Sequence, residues 1–446
     1  MTPQQLSISE VLAALSYALD LTEGQPAGHT IRACLVGMRL GSEVGLSVEE
    51  CTALYYALLL KDAGCSSNAA RMASLFGADD RVVKPRMKGV DWHRRIRLAL
   101  RTATTAGLGG SIADRARHFM RIARSGEVTR ELIQIRCDRG AGIARRLGFP
   151  ENTCSAIGSL DEHWCGLGYP HGKAGEDIPR LARIINIAQT VEAFQYDKGV
   201  AAAMRVTRAR RGTWFDPALA DLVLGWRKDR EWWRLLNSPD AQQAVLDAEP
   251  AGEPRVIDDE ELDEIARAFA DIIDAKSPYT FEHSTRVAAY AERMATVLQY
   301  GEVDLRRMRR AGLLHDIGKL GVSNRILDKP GKLDLPEMQE VELHPRHTYD
   351  ILSRVPAFAS FARMAALHHE KLDGTGYPWG VTAERLDRDA RILAVADIYD
   401  ALTSARPYRE ALSRDVALQI IESERGTKLC GEAVGALVTA TEAGSE

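Results

Sequence analysis

The same short segments occur twice in this chain, in the same order and at constant intervals, which restricts the fold to two copies of one unit. Gly168-Tyr169-Pro170-His171-Gly172 returns as Gly376-Tyr377-Pro378-Trp379-Gly380, 208 residues later. Arg183-Ile184-Ile185-Asn186-Ile187-Ala188-Gln189 returns at the same interval as Arg391-Ile392-Leu393-Ala394-Val395-Ala396-Asp397. Upstream the interval is 254 residues: His29-Thr30-Ile31-Arg32 becomes His283-Ser284-Thr285-Arg286, and Leu60-Lys61-Asp62-Ala63-Gly64 becomes Leu314-His315-Asp316-Ile317-Gly318. The intervals differ by 46 residues, so the first copy carries an insertion of that size within Ala78 to Val128.

Each copy reads as helical. Long amphipathic stretches such as Asp259 to Tyr300 dominate and alternating β-type runs are scarce, which predicts an all-α protein of two tandem helical bundles. Between Trp233 and Val256 the pattern loosens around Ser238-Pro239, Glu249-Pro250 and Glu253-Pro254. The acidic run Asp258-Asp259-Glu260-Glu261 then suits a helix N-terminus. The expected domains are residues 1–240 and 256–446.

Bulk composition excludes several roles. At 45% hydrophobic and 27% charged, the 446 residues match a soluble globular protein, and no apolar run approaches the roughly 20 residues that span a bilayer. Met1 to Glu10 lacks the basic start and apolar core of a signal peptide, so the expected location is cytoplasmic, with no membrane partner. Seven cysteines without a Cys-x-x-Cys pair argue for reduced thiols. A net charge of -4 gives no general attraction to DNA or RNA, and the basic runs Arg94-Arg95-Ile96-Arg97 and Arg208-Ala209-Arg210-Arg211 read as solvated helix faces.

The copies differ in their polar residues. The second holds His283, His315, Asp316, His344, His368, His369 and Asp397. Five imidazoles and two carboxylates suit two divalent cations, iron or manganese first, able to activate a water and neutralise a phosphoryl group. Asp316 is the candidate bridge, because a carboxylate has two oxygens to share. Lys319, three residues on, lies on the same helical face, where its ammonium can stabilise phosphoryl charge or protonate a leaving alkoxide. Gly374, Gly376 and Pro378 break the helix into a loop that presents Tyr377, and Arg406 offers a planar fork for phosphate. In the first copy, Lys61 stands for His315, Cys137 approximately for His344, Leu160 and Asp161 for His368 and His369, and Gln189 for Asp397. That copy is expected to be empty of metal.

With these residues assembled, Asp259 to Val438 resembles the HD-GYP family, bacterial phosphodiesterases within the HD metal-phosphohydrolase superfamily. The match includes His283-Ser284-Thr285-Arg286-Val287, His315-Asp316-Ile317-Gly318-Lys319, His368-His369-Glu370, Asp373-Gly374-Thr375-Gly376-Tyr377-Pro378 and Asp397-Ile398-Tyr399-Asp400-Ala401-Leu402. The resemblance implies a helical HD bundle that hydrolyses cyclic di-GMP. The seven residues above would be its metal ligands, and Lys319, Gly376, Tyr377 and Arg406 its substrate contacts. Tyr279 stands where some three-metal members have glutamate, which implies two metals. Leu372 stands where many members have tryptophan, and Lys428-Leu429-Cys430-Gly431 replaces a Phe-Asp-Pro segment that the first copy keeps as Phe215-Asp216-Pro217. The first copy resembles a degenerate member, expected to regulate, to dimerise or to meet a protein partner. Two other readings stay open: an HD phosphohydrolase for another nucleotide or phosphate ester, and a non-catalytic nucleotide sensor or scaffold.

Overall fold

The computed structural model describes residues 6–88, 90, 95–108, 110–123, 126–250, 255–406 and 409–442. Arg94 and the Glu253-Pro254 pair, named above, lie outside them. The described residues form helices joined by turns and isolated β-bridges, with no extended strand, and no helix among them is long and apolar enough to cross a membrane.

The chain divides into two compact units, Met1–Asp258 and Asp259–Glu446. The first extends past residue 240 because its later segments pack back on its beginning. Val256 bridges Ser7, and the carboxylate of Glu249 accepts hydrogen bonds from Ser9 and Tyr56, both at 2.6 Å.

In the second unit, Asp259–Asp274 opens with three acidic residues in its first turn, which favours the helix dipole. It buries Leu262, Ile265, Ala266, Phe269, Ile272 and Ile273, a stripe at helical spacing. Each large side chain removed from water contributes about 1.5–3 kcal/mol. His283–Val297 and Glu302–Leu314 pack as neighbours, and Arg388–Thr403 lies against the former. Gly312 makes the first crossing close, since a Cβ there would stand 2.5 Å from Ala288 Cα.

The first unit repeats this scheme. His29–Glu43, Val48–Leu60 and Arg180–Lys198 correspond to those three helices. Its close crossing swaps partners: Gly37 lies under Leu58, at the positions of Ala291 and Gly312. Helices Asp80–Lys88, Arg95–Thr105 and Ile112–Ala123 occupy the stretch predicted to hold the insertion.

Candidate metal centre

Local geometry brings six elements of the second unit to one buried point. His283 begins its helix, and His315 ends Glu302–Leu314. Asp316 then enters the tight turn Ile317–Gly321, and His344 starts His344–Leu352. Gly318 lets that turn pass, because a Cβ there would lie 1.9 Å from the carbonyl oxygen of His344. His368 and His369 follow Ala359–Ala366, and Asp397 lies inside Arg388–Thr403.

Asp316 stands at the middle. Its Oδ2 lies 3.4 Å from His283 Nε2 and 3.3 Å from His315 Nε2, while Oδ1 lies 3.2 Å from His344 Nε2 and 3.5 Å from His368 Nε2. Asp397 faces both groups as well, with Oδ1 3.3 Å from His283 and Oδ2 3.8 Å from His369. Two donor sets result: His283, His315 and Asp397, and Asp316, His344, His368 and His369.

The imidazoles are oriented from behind. His315 Nδ1 lies 2.7 Å from the carbonyl of Gly312, His344 Nδ1 2.7 Å from that of Val341, and His368 Nδ1 2.6 Å from that of Ala365. His283 Nδ1 lies 2.6 Å from the Asp400 carboxylate. Each contact calls for the proton on Nδ1, leaving the Nε2 lone pair aimed inward. His283 Nε2, His315 Nε2 and Asp316 Oδ1 are buried with no hydrogen-bond partner among the described residues. Buried polar atoms left this way are costly unless an ion completes them. The residues present therefore fit bound cations.

Electrostatics agree. Burial pushes His344 down to about 4 and lowers His368 and His369, keeping these imidazoles neutral as ligation requires. Burial opposes the charge on Asp316, but His315 and Lys319 hold its carboxyl well below the ordinary value. Burial also opposes charge on His283, yet Asp316, Asp397 and Asp400 raise it to about 10, the cation-seeking field of an acidic pocket.

Lys319 Nζ sits 2.5 Å from Asp316 Oδ2. The Tyr377 ring lies 4.7 Å from that of His369, centroid to centroid, and burial pushes its hydroxyl up, so it stays protonated. Gly376 permits the approach, since a Cβ would meet Glu370 Cα at 2.4 Å. Arg406 lies farther along, in a loop where its N–H donates to Arg409 at 2.7 Å. No contact from its guanidinium to the seven residues is seen among the described residues.

Sequence reasoning missed three supports. Asp400 binds His283 and is itself held by Arg286, whose Nε lies 2.5 Å away. Glu370 accepts backbone N–H groups from Trp379, Gly380 and Val381, fixing the loop behind His369. The repeat held the signal, because Glu192 and Glu162 stand at the same 208-residue interval.

In the first unit the counterpart of His344 is Arg136, one residue before the expected Cys137. A Cβ on Gly64 would meet the Arg136 carbonyl at 1.9 Å, as one on Gly318 meets His344. Lys61, wholly buried, pairs with Asp62, and Arg136 pairs with Asp161. Glu23, Asp62 and Cys65 do cluster there, but Lys84 Nζ lies 3.3 Å from Glu23, and burial pushes the Cys65 thiol well up, keeping it protonated.

The family model for the HD domain matches residues 118–219 and 267–433, more than half of the chain and part of each copy. The chain belongs to the HD domain family. Within that family it is an HD-GYP member and a metal-dependent phosphohydrolase. It is 44% identical over 431 residues to 3'3'-cGAMP-specific phosphodiesterase 3 of Vibrio cholerae, covering 96% of this chain and 94% of that one. The crystal structure of a cyclic GMP-AMP-specific phosphodiesterase from V. cholerae matches with a TM-score of 0.67 at 40% identity, covering 98% of each chain. A cyclic di-GMP phosphodiesterase response regulator of Xanthomonas campestris is 39% identical over 181 residues, 40% of this chain and 47% of that one.

Proposed function

We propose that the second unit hydrolyses a phosphodiester of a 3'3'-linked cyclic dinucleotide, with cyclic GMP-AMP as the preferred substrate. The observation that carries the chemistry is the Asp316 carboxylate, whose two oxygens face separate groups of imidazoles. His283, His315, Asp316 and Asp397 would hold one cation, and Asp316, His344, His368 and His369 the other. Iron or manganese fits this mixture of imidazole and carboxylate. Bound there, such a pair supplies Lewis acidity that acidifies a water and neutralises phosphoryl oxygens.

The chain's own residues do the rest. Lys319 places an ammonium beside Asp316, suited to hold negative charge or hand a proton to a leaving oxygen. Tyr377 and Gly376 shape the pocket wall, and Arg406 is assigned to phosphate contact. The first unit, with lysine and arginine at two of the ligand positions, takes a regulatory or dimerisation role.

The substrate assignment is supported by the relative that spans both units, whose name specifies 3'3'-cGAMP. Cyclic di-GMP is the second reading, favoured by relatives that align with less than half of the chain. Anaerobic purification, elemental analysis and product identification on both cyclic dinucleotides test the proposal, with Asp316→Ala as control. Metal-bearing wild type that cleaves neither compound refutes it; preference for cyclic di-GMP reverses the order of the two readings.

A further inference from the structure

Trp379, on the loop behind His369, meets two side chains of helix His344–Leu352 to form a group that the cation pocket does not use. The Trp379 ring meets Tyr349 edge-on, with centroids 6.3 Å apart at 82°. The Arg346 guanidinium lies 5.7 Å from the Trp379 ring centroid and also donates to the Pro378 carbonyl at 3.2 Å. The backbone N–H of Trp379 donates to Glu370 at 2.8 Å. Glu370 directly follows His369, and Arg346 stands two residues after His344, so both braces begin beside residues of the pocket. Despite this anchoring, Trp379 remains 40% exposed and Tyr349 42%.

The repeat shows that the loop itself does not need these residues. Both copies keep Gly-Tyr-Pro in this loop, and in both a glutamate caps the turn, Glu162 accepting from the backbone of His171 and Lys173 as Glu370 does from Trp379 and Val381. At the 208-residue interval, however, Arg346, Tyr349 and Trp379 are replaced by Asp138, Ala141 and His171. All three disappear together in the copy that lacks the ligand set. The cluster accompanies the cation pocket rather than the loop.

We propose that Trp379, braced by Arg346 and Tyr349, is a platform on which one purine of the cyclic dinucleotide stacks while its phosphodiester occupies the cation pocket. This rests on the substrate class proposed above. A flat, exposed and immobilised indole suits a purine because a base presents a π-face whatever its edge groups. An anchored ring also loses little freedom when the ligand arrives.

Steady-state kinetics of the full-length, metal-loaded wild type, Trp379→Ala and Trp379→Phe test this on a cyclic dinucleotide and on bis(p-nitrophenyl) phosphate, with metal content measured alongside. Stacking contributions of the usual size predict that KM for the dinucleotide rises about 5- to 150-fold in the alanine variant. That loss should exceed the loss on bis(p-nitrophenyl) phosphate by at least fivefold, and phenylalanine should restore most of it. Equal losses on both compounds, a KM within twofold of wild type, or loss of metal from the alanine variant overturns the platform alone. Wild type that cleaves bis(p-nitrophenyl) phosphate but no cyclic dinucleotide overturns the substrate class and the platform together.

Discussion

Asp400 illustrates how much of the centre depends on a residue that points away from it. Its carboxylate fixes the His283 proton on Nδ1 and is itself gripped by Arg286 through two nitrogens, at 2.5 and 3.1 Å. Removing such a support leaves the ligand free to rotate and to change tautomer. Asp400→Ala is therefore expected to weaken metal affinity about 10- to 100-fold, measured by competitive titration with a chromogenic chelator. The seven-residue cluster was legible in the sequence because five histidines and two aspartates at repeat-defined positions are hard to explain as core filling. The repeat marks Asp400, Arg286 and Glu370 through Glu192, Arg32 and Glu162, but their roles were not legible, since acidic and arginine side chains near helix ends are common and only their pairing in space shows what they hold. Arg136 was misplaced by one residue for a different reason. It follows the insertion, and sequence alone does not say where the 208-residue interval resumes.

At the scale of elements, two joints govern the arrangement. The first is the turn from His315 through Gly318 to the start of His344–Leu352. A methyl group at residue 318 would collide with the carbonyl of His344, so Gly318→Ala must displace one donor set relative to the other. The expected outcome is a loss of about 1–3 kcal/mol of stability together with reduced metal loading, read by denaturant titration and elemental analysis. The second joint is the carboxylate that receives the incoming histidine helix. Asp274 accepts from the backbone and hydroxyl of Ser284, and in the first unit Asp20 does the same for Thr30 and also binds the N–H of Gly28. Burial raises Asp20 from 3.8 to about 7, so its protonated form is the one favoured by folding. Its contribution is complete below about pH 4 and is lost as pH climbs through 7, at up to about 1.4 kcal/mol per pH unit. Asp20→Asn cannot ionise. Between pH 5 and pH 7.5 the wild-type melting temperature should consequently fall relative to that of the variant. The repeat and the helical pattern predicted two all-α units, although the Asp259 to Tyr300 stretch is two helices, interrupted between Asp274 and His283. They did not predict the joints, because a glycine beside a carbonyl and a carboxylate at a helix entry are set by backbone approach rather than periodicity.

Across the whole molecule, the two units differ in what completes their buried charge. Atoms such as His283 Nε2 and Asp316 Oδ1 call for an external cation, whereas Lys61 and Arg136 supply covalently attached ones. A ligand that binds only the folded state stabilises it by mass action, about 2.7 kcal/mol at a free concentration 100 times Kd. Calorimetry of the full chain before and after chelation should accordingly show one melting component shifting downward, that of the second unit, while the other stays in place. Movement of both components by the same amount would refute this division.

Lys61 and Arg136 also alter what a shortage of metal can reach. Ammonium and guanidinium groups cannot be extracted or exchanged for a rival element. Half of the polypeptide is consequently expected to keep its architecture through any shortage, ready when supply returns.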